Sequence, residues 1–154
     1  MNVFIDLQQA VDTMHPDLAQ FQAWAEAALQ EVGEDCELSI RIVDTEESQQ
    51  LNRDYRGKDK ATNVLSFPFE SPIPLQPRLL GDLVICAPVV ASEAAEQGKP
   101  EWQHWAHLTV HGCLHLLGYD HINDDDAAQM ETNEINILRQ FDIENPYLEP
   151  RLSP

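Results

Sequence analysis

The chain has little basic charge for its size. Nine lysines and arginines stand against 27 aspartates and glutamates, which leaves a formal net charge of −18. Proteins that bind nucleic acid usually present a basic surface to the phosphates. Bulk charge alone therefore disfavours RNA or DNA as a partner.

The chain also has few cysteines and no long hydrophobic run. Cys36, Cys86 and Cys113 are widely spaced and odd in number, so they form no disulfide framework and fit a reducing compartment. No apolar segment reaches the length of a membrane span, and the N-terminal residues lack the features of a signal peptide. We therefore expect a cytoplasmic protein without a membrane partner, and a length of 154 residues suits one domain, 1–154.

The few basic residues are not evenly distributed. Four of the nine, Arg53, Arg56, Lys58 and Lys60, fall within eight positions. A bound divalent metal would add local positive charge that the composition does not count. The acidic residues crowd elsewhere, at 124–126 and 131–134, where we expect a solvated helix start and face. This distribution weakens the charge argument against RNA.

The segment HGCLHLLGYDH, residues 111–121, has the spacing of a metal site. On a helix, His111 and His115 project from one face a single turn apart. Gly118 can end that helix, so that His121 returns as a third ligand. Two histidines at this spacing are common by chance, but three with an open fourth position are typical of catalytic zinc. The sequence predicts one Zn²⁺ per chain at His111, His115 and His121.

The same spacing occurs in the zinc-protease motif HExxHxxGxxH, with one change. Gly112 stands where that motif has its general-base glutamate. Cys113 lies out of phase with the histidines, and we expect a small buried hydrophobe rather than a ligand. His107 shares the histidine stripe and is either a wall of the substrate groove, a partner of a ligand, or a packed histidine. For His104 we favour a satisfied histidine at the edge of the core.

Hydrophobic periodicity and helix-ending residues predict an α/β fold. We expect a single small domain with a mixed four-stranded sheet flanked by helices, and the metal site on a helix and the following turn. The predicted strands are 3–5, 37–43, 64–67 and 83–86. The predicted helices are 16–32, 45–55 with Thr45 as its cap, 88–97, 100–117 and 125–141. The predicted turn and loop are 56–63 and 71–78.

Two blocks of the chain resemble the YbeY family of single-domain, metal-dependent bacterial endoribonucleases, which are ribosomal RNA maturation factors. One block is LNRDYRGKDKATNVLSFPFE, 51–70, followed by LGDLVIC, 80–86; the other is HLTVHGCLHLLGYDH, 107–121. The similarity extends over nearly the whole chain. The resemblance implies zinc at the three histidines and single-strand-specific RNA cleavage in ribosomal RNA processing and ribosome quality control, chiefly at the small-subunit 3′ end. It also implies that Arg56 is functionally important, and that ribosomal RNA, the small ribosomal subunit and ribosome-associated proteins are partners.

The chemistry of such a site can be outlined from the residues. Zinc can acidify a water or polarise a phosphoryl oxygen, and an arginine fork matches two phosphate oxygens. We therefore expect Arg56 and His111 to be catalytic, with Lys58, Lys60 and His107 contacting the substrate. The other interpretation of Arg56 is a surface salt bridge to a neighbouring aspartate, Asp54 or Asp59.

The attacking group and the general function stay open at this point. A zinc-activated water or the 2′-hydroxyl of the RNA could attack the phosphodiester, with Asp120 and Asp82 as candidate bases. A zinc metallopeptidase-like hydrolase is one alternative function, which the histidine spacing favours and Gly112 disfavours. A non-catalytic ribosome-associated factor with a structural zinc is another.

Overall fold

The structure, a computed structural model, describes residues 1–119 and 124–147. A short 3₁₀ turn, Gln30–Val32, follows the first helix. The other elements, in chain order, are β1 (Val3–Gln9), α1 (Leu18–Ala28), β2 (Cys36–Val43), α2 (Thr45–Arg56), β3 (Val64–Pro68), β4 (Arg78–Cys86), α3 (Ala87–Gln97), α4 (Glu101–Leu116) and α5 (Asp124–Arg139).

The four strands form one mixed sheet in the order β1-β2-β4-β3. Strand β2 is parallel to both β1 and β4, whereas β3 runs antiparallel to β4 along one edge. Helices α1 to α4 pack on this sheet and α5 packs on α4 and α1, so the predicted α/β fold with a mixed four-stranded sheet is confirmed. Within the described ranges, no helix combines the length and apolar character needed to span a membrane.

The main core lies between the sheet and the helices α1 and α4. Leu38, Ile40 and Ile42 alternate along β2 and are fully buried on this face. A smaller cluster on the opposite face packs against α2 and α3; its buried members are Val43, Leu65, Val84 and Cys86. Helix α3 contributes to both clusters, through Ala87 and Val90 to the main core and through Val89 to the smaller cluster, whereas α4 lies on the face of the main core.

Helix α4 approaches the sheet closely at Gly112. A Cβ atom at this position would lie 2.8 Å from Leu83 Cδ2 and 3.4 Å from Ser66 Oγ. The distance to Leu83 is too short for a side chain, whereas the distance to Ser66 is an ordinary contact, so it is the close approach to Leu83 that glycine allows. The turn of α4 that carries His111 is thereby seated directly on β3 and β4.

Two predicted strand limits and one helix limit were wrong. Strand β1 continues past Ile5 because its later residues pair with β2, up to Gln9 opposite Ile42. Strand β4 begins at Arg78, inside the predicted loop, because that residue pairs with Cys36. Helix α1 ends at Ala28, and the 3₁₀ turn covers the rest of the predicted helix.

Both ends of α2 also differ from the prediction. Asp44, rather than Thr45, is the N-cap, because its carboxylate accepts a hydrogen bond of 2.9 Å from the Glu47 amide. Arg56 is the last residue of this helix and not part of the following turn. Gly57 ends the helix in the left-handed conformation, with φ of 71°.

Candidate metal centre

Four histidines of α4 form a row along one side of the helix: His104, His107, His111 and His115. Successive ring centroids are 6.1, 6.1 and 4.6 Å apart. The Nε2 atoms of His111 and His115 face each other at 3.0 Å. The structure thus brings two of the three predicted ligands together, while His121, like Asp120, lies outside the described residues.

Helix α5 contributes a buried carboxylate to this site. Glu134 has 0 % exposure, and its Oε1 accepts a hydrogen bond of 2.5 Å from His111 Nδ1. Its Oε2 accepts one of 3.1 Å from His107 Nε2 and another from the Tyr147 hydroxyl. Since an ionised carboxylate can only accept, each of these partners is the donor.

The protonation of Glu134 follows from competing effects. Burial raises the pKa of this carboxyl, but hydrogen bonds from His107, His111 and Tyr147 together lower it to about 2. The pKa of the Tyr147 phenol is raised by burial and by the neighbouring Glu134. At neutral pH the glutamate is therefore ionised and the phenol keeps its proton.

The donor set around His111 fits a divalent metal. Ligand atoms of His107, His111 and Glu134 all lie within 4.8 Å of one another, so this cluster could hold a metal ion. The facing Nε2 atoms of His111 and His115 offer a second arrangement. Two nitrogens on a tetrahedral zinc lie about 3.3 Å apart, from Zn–N bonds of about 2.0–2.1 Å. The observed 3.0 Å is close to that value.

The sequence interpretation of 131–134 as a solvated helix face was wrong for Glu134. Its side chain lies on the inward side of α5, between the fully buried Met130 and Leu138. The spacing of these three residues, four positions each, places them on one helical stripe. A glutamate in an otherwise apolar stripe was the signal that could have identified it.

The other two histidines of the row have different surroundings. His107 shares Glu134 with His111, as expected of a partner of a ligand; its contact with substrate stays a prediction. His104 is buried, with its Nε2 2.8 Å from Glu93 Oε1. Burial lowers the pKa of His104, and the hydrogen bond to Glu93 opposes that effect. The expected buried histidine at position 104 is therefore found, but it is satisfied at one nitrogen only: a carboxylate of α3 pairs with its Nε2, whereas its Nδ1 has no hydrogen-bond partner among the described residues.

Arg56 reaches the edge strand β3. Its Nη2 donates a hydrogen bond of 2.6 Å to the Ser66 carbonyl, and its guanidinium carbon lies 5.9 Å from the centre of the Phe67 ring. Ser66 Oγ in turn donates to the Gly112 carbonyl at 3.4 Å. A single strand residue therefore links Arg56 to the turn of α4 that carries His111.

The alternative interpretation of Arg56 as a salt-bridge residue does not describe its contacts. The two candidate aspartates, Asp54 and Asp59, lie 3.6 and 3.8 Å from Arg53 instead. Within 1–119 and 124–147, Arg56 has no ion pair. Its charge is therefore not neutralised by an acidic side chain of that part of the protein.

The basic loop, residues 57–60, follows Arg56 and is held by one buried residue of α2. The Asn52 side-chain amide donates to the Lys60 carbonyl at 2.9 Å, and the Asn52 backbone carbonyl accepts from the Lys58 backbone amide at 3.3 Å. Both lysines are exposed. The loop backbone is thus fixed, while its two ammonium groups stay in solvent.

Two further sequence expectations concern Asp82 and Cys113. Asp82 accepts a hydrogen bond of 2.5 Å from Ser39 Oγ, on the face of the sheet opposite α4. Because strand side chains alternate, Asp82 points away from the side that Leu83 shares with α4 and is not placed as a base beside the histidines.

Cys113 is fully buried in the main core, and burial raises the pKa of its thiol to about 12. The prediction of a small buried hydrophobe is confirmed.

Two comparisons with known proteins agree on one family, and a third concerns the fold. A family model described as endoribonuclease YbeY matches residues 5–142. A protein of that name from Colwellia psychrerythraea is 57% identical over 150 residues, covering 94% of this chain and 97% of that protein. A solution structure of a Thermotoga maritima protein aligns with a TM-score of 0.59 over 90% of this chain and 87% of the other, at 24% identity. The last similarity concerns the fold alone.

Proposed function

We propose, because the chain belongs to the endoribonuclease YbeY family, that it is a metal-dependent endoribonuclease of ribosomal RNA processing. Membership in this family also confirms the resemblance of the two sequence blocks. In this proposal residues 1–154 act as one domain and bind Zn²⁺. The substrate is single-stranded ribosomal RNA at the small-subunit 3′ end, and the site also serves ribosome quality control.

One observation carries the proposal: Arg56 and the turn of α4 that carries His111 are joined through a single residue, Ser66. His111 and His115 lie on α4, whose Gly112 carbonyl accepts from Ser66 Oγ. Arg56 holds the Ser66 carbonyl from the other side. A metal centre and an arginine that has no acidic partner among the described residues are the two groups that phosphodiester cleavage needs close together.

The residues of the site have separate roles in this proposal. When bound, the metal supplies a Lewis acid that polarises a phosphoryl oxygen or acidifies a water. His111, His115 and His121 would hold it, and His111 counts as catalytic in this sense. Arg56 has five N–H donors, of which one is used by Ser66. Its remaining donors can stabilise charge on the phosphate oxygens, and the attacking oxygen is that of a water or of the substrate's 2′-hydroxyl.

The surroundings of Arg56 support a single-stranded substrate. Tyr55 is 68% exposed and packs edge-on against Phe67, with ring centroids 5.3 Å apart. Unpaired bases stack on exposed aromatic rings, whereas paired bases are already stacked. The exposed Lys58 and Lys60 lie nearby in sequence and would attract the phosphate backbone.

The alternatives have less support from the site. In a peptidase the general base would occupy position 112, where a side chain would collide with Leu83. A closed structural zinc would usually take a cysteine ligand. All three cysteines are buried, and Cys113 lies in the core on the far side of α4.

A paired cleavage assay tests the proposal. Purified protein with measured zinc content is incubated with a hairpin RNA that carries a single-stranded 3′ tail, and separately with casein. We expect cleavage in the tail, little in the stem, none of casein, and loss of activity on chelation. Casein cleavage would favour the peptidase, and stoichiometric zinc without cleavage of either substrate would favour the structural role.

A further inference from the structure

Glu134 is fully buried and hydrogen-bonded to three side chains. It nevertheless lies outside both sequence blocks that resemble the family. We propose that Glu134 is a positioning residue of the metal centre, which holds His111 in the tautomer whose Nε2 lone pair faces the metal. His107 and Tyr147 hold Glu134 in turn. This inference rests on the proposed function because both concern the same site, but its test measures metal binding and not RNA cleavage.

The tautomer of His111 follows from its partners. Glu134 Oε1 lies 2.5 Å from His111 Nδ1, and a carboxylate can only accept, so Nδ1 carries the proton. A neutral imidazole has one N–H, so Nε2 carries the lone pair. That lone pair points toward His115 Nε2, at 3.0 Å. The hydrogen bond from Nδ1 therefore selects the tautomer and the ring orientation that a metal requires.

The position of Glu134 is itself fixed. Its helix is packed through the fully buried neighbours Met130 and Leu138. Its second oxygen accepts from His107 Nε2 at 3.1 Å and from the Tyr147 hydroxyl. Tyr147 lies beyond the end of α5, so this hydrogen bond ties the segment after α5 to the histidine row. A carboxylate held at both oxygens can orient a ligand ring with little freedom.

Direct metal coordination by Glu134 is the competing interpretation, since His107, His111 and Glu134 could together hold an ion. Their separations favour hydrogen bonds. Two ligand atoms of a tetrahedral zinc lie about 3.3 Å apart, whereas Glu134 Oε1 and His111 Nδ1 are only 2.5 Å apart. On the other side of the ring, His111 Nε2 and His115 Nε2 are 3.0 Å apart, which is closer to the separation of two zinc ligands.

Zinc affinity of the Glu134→Gln variant tests the proposal without any RNA. The amide of glutamine can donate to Nδ1, which would move the imidazole proton to Nε2 and block the lone pair. We expect zinc affinity, measured by competition with a chromophoric chelator, to fall about 10- to 100-fold. Glu93→Gln is the matched control, because it alters a similar carboxylate–histidine pair of the same histidine row, Glu93 of α3 with His104 of α4 at 2.8 Å. It should leave zinc affinity unchanged even where both variants lower the melting temperature.

A second measurement uses the wild-type protein and does not depend on the folding of a variant. Long-range ¹H–¹⁵N correlations in the metal-free protein should show His111 protonated at Nδ1. An Nε2–H tautomer, or wild-type zinc affinity in a folded Glu134→Gln variant, would overturn the proposal. Cobalt(II) spectra that lose an oxygen ligand in this variant would do so as well, because they would identify Glu134 as a direct ligand. Normal zinc binding without RNA cleavage by the wild type would instead refute the proposed function and leave this inference intact.

Discussion

Arg56 donates its hydrogen bond to a backbone oxygen, the carbonyl of Ser66, at 2.6 Å. A backbone acceptor fixes the position of the guanidinium without neutralising its charge, in contrast to a carboxylate partner. Ser66 also contacts Gly112, next to His111, at 3.4 Å. The geometry of the cationic group relative to the metal centre is therefore set by the packing of β3 against α4.

Replacing Arg56 tests whether this group acts on the phosphate. Arg56→Ala should lower the rate of RNA cleavage about 100-fold or more, as removal of one preorganised donor commonly does. Arg56→Lys should recover only part of the rate, because an ammonium keeps the charge but loses the fork. Zinc content and melting temperature should stay near wild type, since the residue is exposed.

Arg53→Ala is the matched control for this experiment. Arg53 is an exposed arginine of the same helix, but it lies within 4 Å of Asp54 and Asp59. Its replacement should change the cleavage rate little. Wild-type cleavage by Arg56→Ala, or equal losses in both variants, would show that Arg56 has no special part in the reaction.

The lysines of the basic loop should act on binding rather than on turnover. Lys58→Ala and Lys60→Ala should each weaken RNA binding modestly and reduce the slope of log K against log salt by about 1. Fluorescence anisotropy over a range of salt concentrations measures this slope. The maximal cleavage rate at saturating RNA should persist. An unchanged salt slope in the double variant would mean that RNA does not pass over this loop.

Gly112 should be sensitive even to alanine. A Cβ atom there lies 2.8 Å from Leu83 Cδ2, so Gly112→Ala should destabilise the protein by about 1–3 kcal/mol. Urea denaturation measures the loss. In a Leu83→Ala background the added cost should shrink, because the clashing atoms are gone. Equal costs in both backgrounds would show that the contact does not determine the need for glycine.

Most of the fold could be predicted from local sequence, because the responsible signals are local. Alternation along β2 and helix-ending glycines such as Gly98 depend on neighbouring residues only. The start of β4 could not be predicted in this way. Arg78 follows a proline-rich loop and becomes strand because it pairs with Cys36, a contact between distant parts of the chain.

The same distinction applies to the site. His111 and His115 were predictable because four residues of helix bring them together. Glu134 comes from another helix, and its charge favoured the wrong interpretation until its burial between apolar neighbours was seen. The helical position of Arg56 was missed although Gly57 gave the signal, a glycine that ends a helix.

Cys113 should be chemically inert in the folded protein. Its thiol is buried and the pKa is raised to about 12, so almost no thiolate is present at mildly alkaline pH. Burial also raises the pKa of Cys36 and Cys86. Alkylation followed by mass spectrometry should therefore label none of the three before denaturant is added.

The Cys113→Ala variant should keep zinc and activity, with at most a moderate loss of stability. Loss of zinc from this folded variant would contradict the placement of Cys113 in the core.

The three predicted ligands can be tested by metal content. His111→Ala, His115→Ala and His121→Ala should each show strongly reduced zinc by elemental analysis after dialysis. Since zinc binds the folded state, added zinc should raise the melting temperature of the wild type but hardly that of these variants. His104→Ala is the control, because this histidine belongs to the same row but pairs with Glu93. The His104→Ala variant should be less stable than the wild type, because the histidine is buried, but it should keep its zinc. Full occupancy in both His111→Ala and His121→Ala would refute the ligand assignment and, with it, the role proposed for Glu134.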